Sequence, residues 1–281
     1  MTWSALGESR KKRASRRWIL QVVLAGLAAA AALLVIFTRS NVPVRSSWEV
    51  IGVPGTLRLR PGEALQTASS EAQVKIANIG QLTIDPNTKI RLLVTQSNQH
   101  RIALDRGKLQ ATTWAPPRLF IVETPSATAV DLGCKYTLEV EDDGSSLLHV
   151  TLGLVALERD GRETVVPAGA FCRTRPGTGS GTPFFEDSSA RLQSALQDLD
   201  LGLEEPARTR RLEVVLGESH VRDALSLWHL LPRLDEQSRG LIYDRLDELL
   251  PPPPEVTRNG IIALDPKMLD AWKKVVSQLW Q

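Results

Sequence analysis

The chain has 281 residues, of which 42% are apolar, with 17 prolines and 19 glycines, a composition that excludes a disordered protein and suits about two ordered domains. The formal net charge of +2 is misleading, because six of the 34 basic residues lie within the first 17 positions and the rest of the chain is slightly acidic. The folded part lacks the basic excess typical of nucleic-acid binding, so no nucleic-acid partner is predicted.

The first long apolar segment runs from Ile19 to Phe37 and contains one polar residue, Gln21. As a helix it would extend about 28 Å, close to the roughly 30 Å of a bilayer's hydrocarbon core. It is longer than a signal-peptide core and has no small-x-small cleavage site. We therefore expect a transmembrane helix over residues 18–38, with the lipid bilayer as a partner. The basic tail at 1–17 then stays in the cytoplasm and the bulk of the chain lies outside it.

A tether is predicted over residues 39–54. From residue 55 to 174, short apolar alternations recur between turn signals such as Pro61-Gly62 and Asp105-Arg106-Gly107. Short strands at this spacing predict an all-β domain, and the spacing alone favours a β-sandwich.

The strongest strand signals lie on either side of Pro125 and Gly133. The segments from Phe120 to Thr124 and from Tyr136 to Val140 alternate large apolar side chains with polar ones, as a strand with one buried face does. Later glycines, Gly153 in VTLGLVAL and Gly169 in VPAGA, interrupt further strand-like runs.

These pieces together resemble the core of FecR-type periplasmic domains; the residues that carry the likeness are Phe120, Val122, Thr124, Pro125, Ala127, Gly133, Tyr136, Val140, Gly153 and Gly169. The likeness extends over roughly residues 55–174. It implies a short β-solenoid as the competitor to the sandwich. It also implies a bacterial protein with a periplasmic domain; together with the predicted span and its basic tail, this predicts an inner-membrane protein with its N-terminus in the cytoplasm and its bulk in the periplasm.

The same resemblance implies a role in envelope sensing or transmembrane signal regulation, through contact with a periplasmic or membrane protein. The best-known family members hold a sigma factor with a cytoplasmic helical domain of many tens of residues. A 17-residue tail is too short to bury such an interface alone, which argues against direct sigma-factor binding. The alternative is an envelope scaffold that binds a periplasmic protein or cell-wall component without signalling.

Cys134 and Cys172 are the two cysteines of the chain, and both lie at the ends of FecR-like segments. An extracytoplasmic location favours their oxidation, so a disulfide between them is the leading prediction. Two separate buried thiols that pack as small apolar groups are the alternative. A metal site is disfavoured, because the chain has no CxxC or HxxxH spacing.

The glycine-rich segment 175–182 is predicted to be a linker, since it lacks the lysine of a phosphate-binding loop. Residues 183–281 show helical apolar spacing and predict an all-α domain, in which Asp265 caps a helix that begins at Pro266. Trp228, Trp272 and Trp280 are expected in the core of this domain. The predicted fold class is thus α+β by domain: a transmembrane helix, an all-β FecR-like domain and a helical domain.

No GxSxG or HExxH motif and no nucleophile with an evident base occurs in the sequence. The acidic pair Asp142-Asp143 precedes Gly144 in a predicted hairpin turn, where solvation explains it. The sequence therefore predicts a protein without catalytic residues, cofactor or metal site.

Overall fold

The computed structural model describes residues 47–52 and 57–280, and these residues belong to one compact unit. Strands occupy the first part and helices the second. Within the described ranges, no helix is both long enough and apolar enough to cross a bilayer. The predicted fold class, which included a transmembrane helix, is corrected to a mostly antiparallel β-structure followed by helices. The basic tail 1–17 and the segment 18–38 that motivated the transmembrane prediction lie outside the described residues, as does most of the tether.

The described residues form sixteen strands: β1 (Trp48–Ile51), β2 (Leu57–Leu59), β3 (Ala64–Gln66), β4 (Ala72–Ile76), β5 (Gly80–Ile84), β6 (Lys89–Gln96), β7 (Gln99–Thr113), β8 (Phe120–Glu123), β9 (Thr128–Asp131), β10 (Lys135–Val140), β11 (Ser146–Leu152), β12 (Leu154–Arg159), β13 (Arg162–Pro167), β14 (Ala170–Arg175), β15 (Gly179–Ser180) and β16 (Phe184–Phe185).

Two sheets are built from these strands. Sheet A has the order β2-β1-β4-β5-β7-β10-β11-β14, with β15 and β16 both paired to β14. Sheet B has the order β13-β12-β9-β8-β7-β6-β3. All neighbours are antiparallel except β7 and β8, which run parallel.

The long strand β7 belongs to both sheets. Its first half pairs with β6 and β8 in sheet B, and its second half, from Gly107, pairs with β10 and β5 in sheet A. Gly107 has φ +83°, and a Cβ atom there would lie 2.5 Å from Oγ1 of Thr88. Glycine is therefore required at the point where the strand passes from one sheet to the other.

One hydrophobic core is shared by the inward faces of the two sheets. The alternation in β4 is typical: Ala72, Val74 and Ile76 are buried, and the residues between them are exposed. Burying each large aliphatic side chain stabilises the fold by roughly 1.5–3 kcal/mol, so this alternation, repeated from strand to strand, holds the sheets together.

The β-domain is a sandwich, and the solenoid that the resemblance implied is wrong. A solenoid would need successive turns to stack in the same direction, whereas consecutive strands here pair as antiparallel hairpins. The isolated glycines that suited solenoid turns instead occupy hairpin turns and bends. Gly144, in the turn between β10 and β11, has φ +80°.

Six helices follow: α1 (Ala190–Asp200), α2 (Ala207–Glu218), α3 (Ala224–Leu230), α4 (Glu236–Leu249), α5 (Arg258–Ile262) and α6 (Pro266–Val276), with 3₁₀ turns at Val221–Asp223, Leu231–Arg233 and Ser277–Trp280. The start of α6 is confirmed as predicted. Asp265 accepts hydrogen bonds from the N–H groups of Lys267 (2.8 Å) and Met268 (3.2 Å), and Pro266 is the first helical residue.

The helices pack on the sandwich and are not separated from it by a flexible connection. The segment 175–182 contains β15, which pairs with β14, and β16 follows it at Phe184–Phe185. Phe185 and Leu225 of α3 are part of the sandwich core, while Phe184 belongs to the core of the helical layer.

Candidate functional site

The FecR-like motif residues build turns and core of the sandwich. Phe120 is fully buried in β8, and Tyr136 is buried in β10. Thr124 closes the turn before β9, because its hydroxyl donates to the carbonyl of Ala127 at 2.8 Å and accepts that residue's N–H at 3.0 Å. Pro125 lies within the same turn. The motif residues Phe120, Thr124, Pro125 and Tyr136 therefore have a structural role in the core and turns of the sandwich.

The motif glycines are required by backbone geometry. Gly133, Gly153 and Gly169 have φ angles of +91°, +74° and +77°, which side-chain-bearing residues rarely adopt. Gly153 has a second constraint, because a Cβ atom there would lie 2.2 Å from the carbonyl oxygen of Gly133.

Cys134 and Cys172 are both free, buried thiols. Leu148 of β11 pairs with Cys172 of β14 on one side and with Leu138 of β10 on the other. Cys134 lies four residues before Leu138 in the chain. From the rise along a strand and the spacing between strands, the two cysteine Cα atoms are on the order of 15 Å apart. A disulfide needs them within about 7 Å. The disulfide prediction is therefore wrong, and the alternative of two packed thiols describes the structure. Burial raises the pKa of the Cys172 thiol to about 12, which makes it a poor nucleophile.

A buried carboxylate that the sequence analysis missed lies beside Cys134. Asp131, at the end of β9, accepts a hydrogen bond from the Thr113 hydroxyl at 2.7 Å and from the Gly133 N–H at 2.6 Å. Desolvation by burial raises the pKa of Asp131 in spite of these bonds. Its donors come from β7 and from the bend before β10, so the carboxylate ties three segments together.

The three predicted tryptophans of the helical layer occupy different environments. Trp272 is fully buried, donates to the carbonyl of Leu250 at 3.1 Å and packs edge-on against Tyr243 at 5.1 Å. Trp228 is half-buried, with the ammonium group of Lys273 5.4 Å from its ring centre. Trp280 is half-buried and contacts both the helical and the sandwich cores.

A polar clamp fastens the helices to the sheet. Asp200, at the end of α1, accepts hydrogen bonds from the N–H and hydroxyl of Thr182 at 2.7 and 2.8 Å. Arg233 lies 3.5 Å from the Asp200 carboxylate and donates to the carbonyls of Ser180 and Gly181 at 2.9 and 3.1 Å. Nothing in the spacing of these residues marks them as partners in the sequence.

The outward residues of β4, β5, β7, β10 and β11 in sheet A are exposed or half-buried, and we call this side of the sheet the outer face. Its central side chains carry amides or hydroxyls rather than charges: Gln73, Gln81, Thr83, Gln110, Thr112 and Thr137. The face ends at β14, where His149, Phe171 and Phe184 stack at ring distances of 4.0 and 5.9 Å and lead into the helical layer.

Two large apolar side chains lie exposed at one end of the outer face. Trp114 directly follows β7 and is 64% exposed, and Leu152 at the end of β11 is 65% exposed. The indole N–H of Trp114 donates to the carbonyl of Asn78 at 2.9 Å, which fixes the ring. The outward position of Trp114 could have been predicted from the sequence, because Trp114 continues the alternation that places Gln110 and Thr112 on the outward side of β7.

Among the described residues, no group of three or more His, Cys, Asp or Glu side chains has the geometry of a metal site. A surface depression of about 690 Å³ is lined in part by Arg106 and Asp142. The outer face is therefore the best candidate for a functional site.

The family comparison agrees with the motif residues. Residues 63–156, about a third of the chain, match the model of the family described as FecR protein. The chain contains a FecR domain. The match includes Phe120, Gly133 and Gly153 and ends before Gly169, so β13 to β16 and the helices lie beyond it.

Two crystal structures of a proposed anti-sigma factor from Parabacteroides distasonis ATCC 8503, at 1.65 and 2.50 Å resolution, are similar to parts of this FecR-domain chain. Each is 15% identical with a TM-score of 0.38, and the alignments cover 48% and 54% of this chain. They cover 64% and 74% of those proteins, so the first alignment spans less than two thirds of its neighbour. No curated protein gave a match.

Proposed function

We propose that the protein is a regulatory component of the bacterial envelope, which acts through protein–protein contacts of its FecR domain and outside the cytoplasm. The observation that carries this proposal is the match of residues 63–156 to the FecR family. The anti-sigma description of the two structural neighbours is in keeping with a regulatory role, and it remains a description of those proteins. The periplasmic location rests on the family resemblance.

The clamp shows that the helices and the sandwich are joined by more than the chain connection. Asp200 and Arg233 join the helical layer to the segment between β14 and β16 through a carboxylate that is 6% exposed. Phe185 and Leu225 add apolar contacts between the two layers.

A transcript profile tests the regulatory role. We expect a host strain that lacks the gene to differ from its parent in a discrete set of transcripts, and we expect the wild-type gene to restore them. A Gly153→Val variant, which disrupts the FecR domain, should fail to restore them. Unchanged transcripts in the deletion strain under envelope stress would contradict the regulatory role.

A reporter fusion tests the location separately. A reporter that is active only outside the cytoplasm, fused after Gln281, should be active in the native host. Activity of a cytoplasm-specific reporter at the same position would contradict the periplasmic location while leaving the regulatory role open to the transcript test.

The second candidate function is an envelope scaffold that binds a periplasmic protein or a cell-wall component without signalling. The observation that favours it is the uncovered outer face with its fixed, exposed Trp114. The scaffold function would be favoured if the deletion strain has unchanged transcripts and the protein binds a periplasmic protein or a cell-wall component.

A further inference from the structure

The outer face presents its polar side chains in register. Gln73 lies opposite Thr83, which lies opposite Gln110, which lies opposite Thr137, so four amide and hydroxyl groups form one row across four strands. A second row, two residues along the strands, runs from Lys75 through Gln81 and Thr112 to Lys135. Neighbouring groups within a row are about 4.8 Å apart, and the rows are about 7 Å apart. The result is an array of neutral hydrogen-bonding groups with a lysine at each end of the second row.

The end of the second row combines apolar and charged groups. Leu152 lies opposite Lys135 in the register of β10 and β11, and Trp114 lies two residues beyond Thr112. The hydrogen bond to Asn78 holds the Trp114 ring while 64% of its surface is exposed. A fixed aromatic ring loses little conformational freedom when a ligand stacks on it, which favours binding.

The charges on the face are not balanced at this end. Lys75 pairs with Glu49 at 3.1 Å, and Lys108 pairs with Glu139 at 3.4 Å. In the described part of the face, Lys135 is left without an ion pair. A ligand that complements the face therefore has many neutral hydrogen-bonding groups and a negative charge that meets Lys135.

We infer that the outer face binds a glycan strand of the cell wall that carries carboxylate groups. In this arrangement Trp114 stacks on the apolar face of a sugar ring, the two rows bond to sugar hydroxyls and amides, and Lys135 pairs with a carboxylate. A helical peptide fits less well, because the face has no apolar groove for a row of anchors. This inference names a ligand for the FecR domain; it rests on the proposed location outside the cytoplasm and holds whether or not the protein also signals.

Affinity electrophoresis of the purified full chain tests the inference. The probe is peptide-free glycan strands from peptidoglycan, which carry a carboxylate on every second sugar of the strand. Neutral dextran controls for sugar without charge, and poly-glutamate controls for charge without sugar. We expect retardation by the glycan strands, and much less by either control polymer.

Three variants make the test specific. Trp114→Ala should weaken glycan binding by about tenfold or more, because tryptophan is among the side chains whose truncation at a binding site costs most. Lys135→Gln should weaken it and should reduce its dependence on salt. Leu201→Ala removes another exposed apolar side chain, 59% exposed just after α1 and not part of the strands of the outer face, and should bind as wild type. Thermal melting of each variant verifies that the fold is retained.

The results of these experiments distinguish three ligands of the outer face: a glycan strand, an acidic protein surface and a second copy of the chain. Unchanged binding by Trp114→Ala would overturn the inference, and so would equal retardation by poly-glutamate, which would indicate an acidic protein surface as the partner. Self-association of the wild type that Trp114→Ala abolishes would instead identify a second copy of the chain as the occupant. The transcript profile is independent of this in vitro measurement, so failure here is distinguishable from failure of the regulatory role.

Discussion

Gly153 approaches the carbonyl oxygen of Gly133 so closely that a Cβ atom on Gly153 would lie 2.2 Å from it. The contact joins the turn between β11 and β12 to the bend before β10, two segments that meet only in the folded sandwich. Both residues also have positive φ, so the site combines a backbone constraint with a steric one.

A pair of glycine variants separates these two constraints. Gly161 has φ +77°, close to the +74° of Gly153, but a Cβ there has no atom within 4 Å. Gly161→Ala should therefore cost only the backbone strain, about 1–2 kcal/mol in the free energy of unfolding. Gly153→Ala should cost at least about 2 kcal/mol more, because the carbonyl of Gly133 has to move. Urea denaturation measures both, and equal losses would contradict the close approach.

The clamp gives a second prediction. Asp200→Asn removes the charge that holds Thr182 and Arg233, and it should lower the free energy of unfolding by about 1–3 kcal/mol. The matched control is Asp244→Asn, which breaks a bidentate pair with Arg258 at 2.7 and 2.9 Å but is 52% exposed. It should cost less than about 1 kcal/mol, since exposed ion pairs contribute little. Similar losses for the two variants would argue against a buried clamp.

The thiols give a third prediction. In the native protein neither Cys134 nor Cys172 should react with iodoacetamide, because both are buried and burial raises the pKa of each. In denaturant without reductant, both should be alkylated, as mass spectrometry would detect. A denatured, unreduced chain that gains no label would restore the disulfide that the strand register excludes.

Acid sensitivity gives a fourth prediction, centred on His229 in α3. Burial, with Arg233 and Lys273 nearby, lowers the pKa of His229 to about 3. The unfolded chain binds this proton near pH 6.5, so the stability is fully present above that pH and is lost as the pH falls towards 3. The slope attributable to His229 should approach about 1.4 kcal/mol per pH unit.

A histidine variant isolates that slope. His229→Gln should reduce the dependence of unfolding free energy on pH between 6 and 4. His100, whose pKa is also lowered by burial, is present in both the wild type and the variant and cancels in the comparison. An unchanged slope in His229→Gln would show that this histidine is not buried in its neutral form.

Local patterns in the sequence were sufficient for the classes and positions of many elements. The alternation from Phe120 to Thr124 predicted β8, and Asp265 with Pro266 predicted the start of α6. The glycines at 133, 153 and 169 were identified by the FecR likeness before their positive φ angles were known. Such features depend on residues within a few positions of one another, and composition and spacing report them directly.

The pairing of strands in the tertiary structure determined the features that local sequence patterns did not predict. The register of β10, β11 and β14 sets Cys134 and Cys172 far apart, although both end FecR-like segments, and antiparallel hairpins make a sandwich where a solenoid was also expected. The same pairing aligns Gln73, Thr83, Gln110 and Thr137 into one row, and chain folding brings Arg233 to Asp200. These contacts join residues tens of positions apart, and their energy comes from burial and hydrogen bonding that exist only once the sheets and helices have packed.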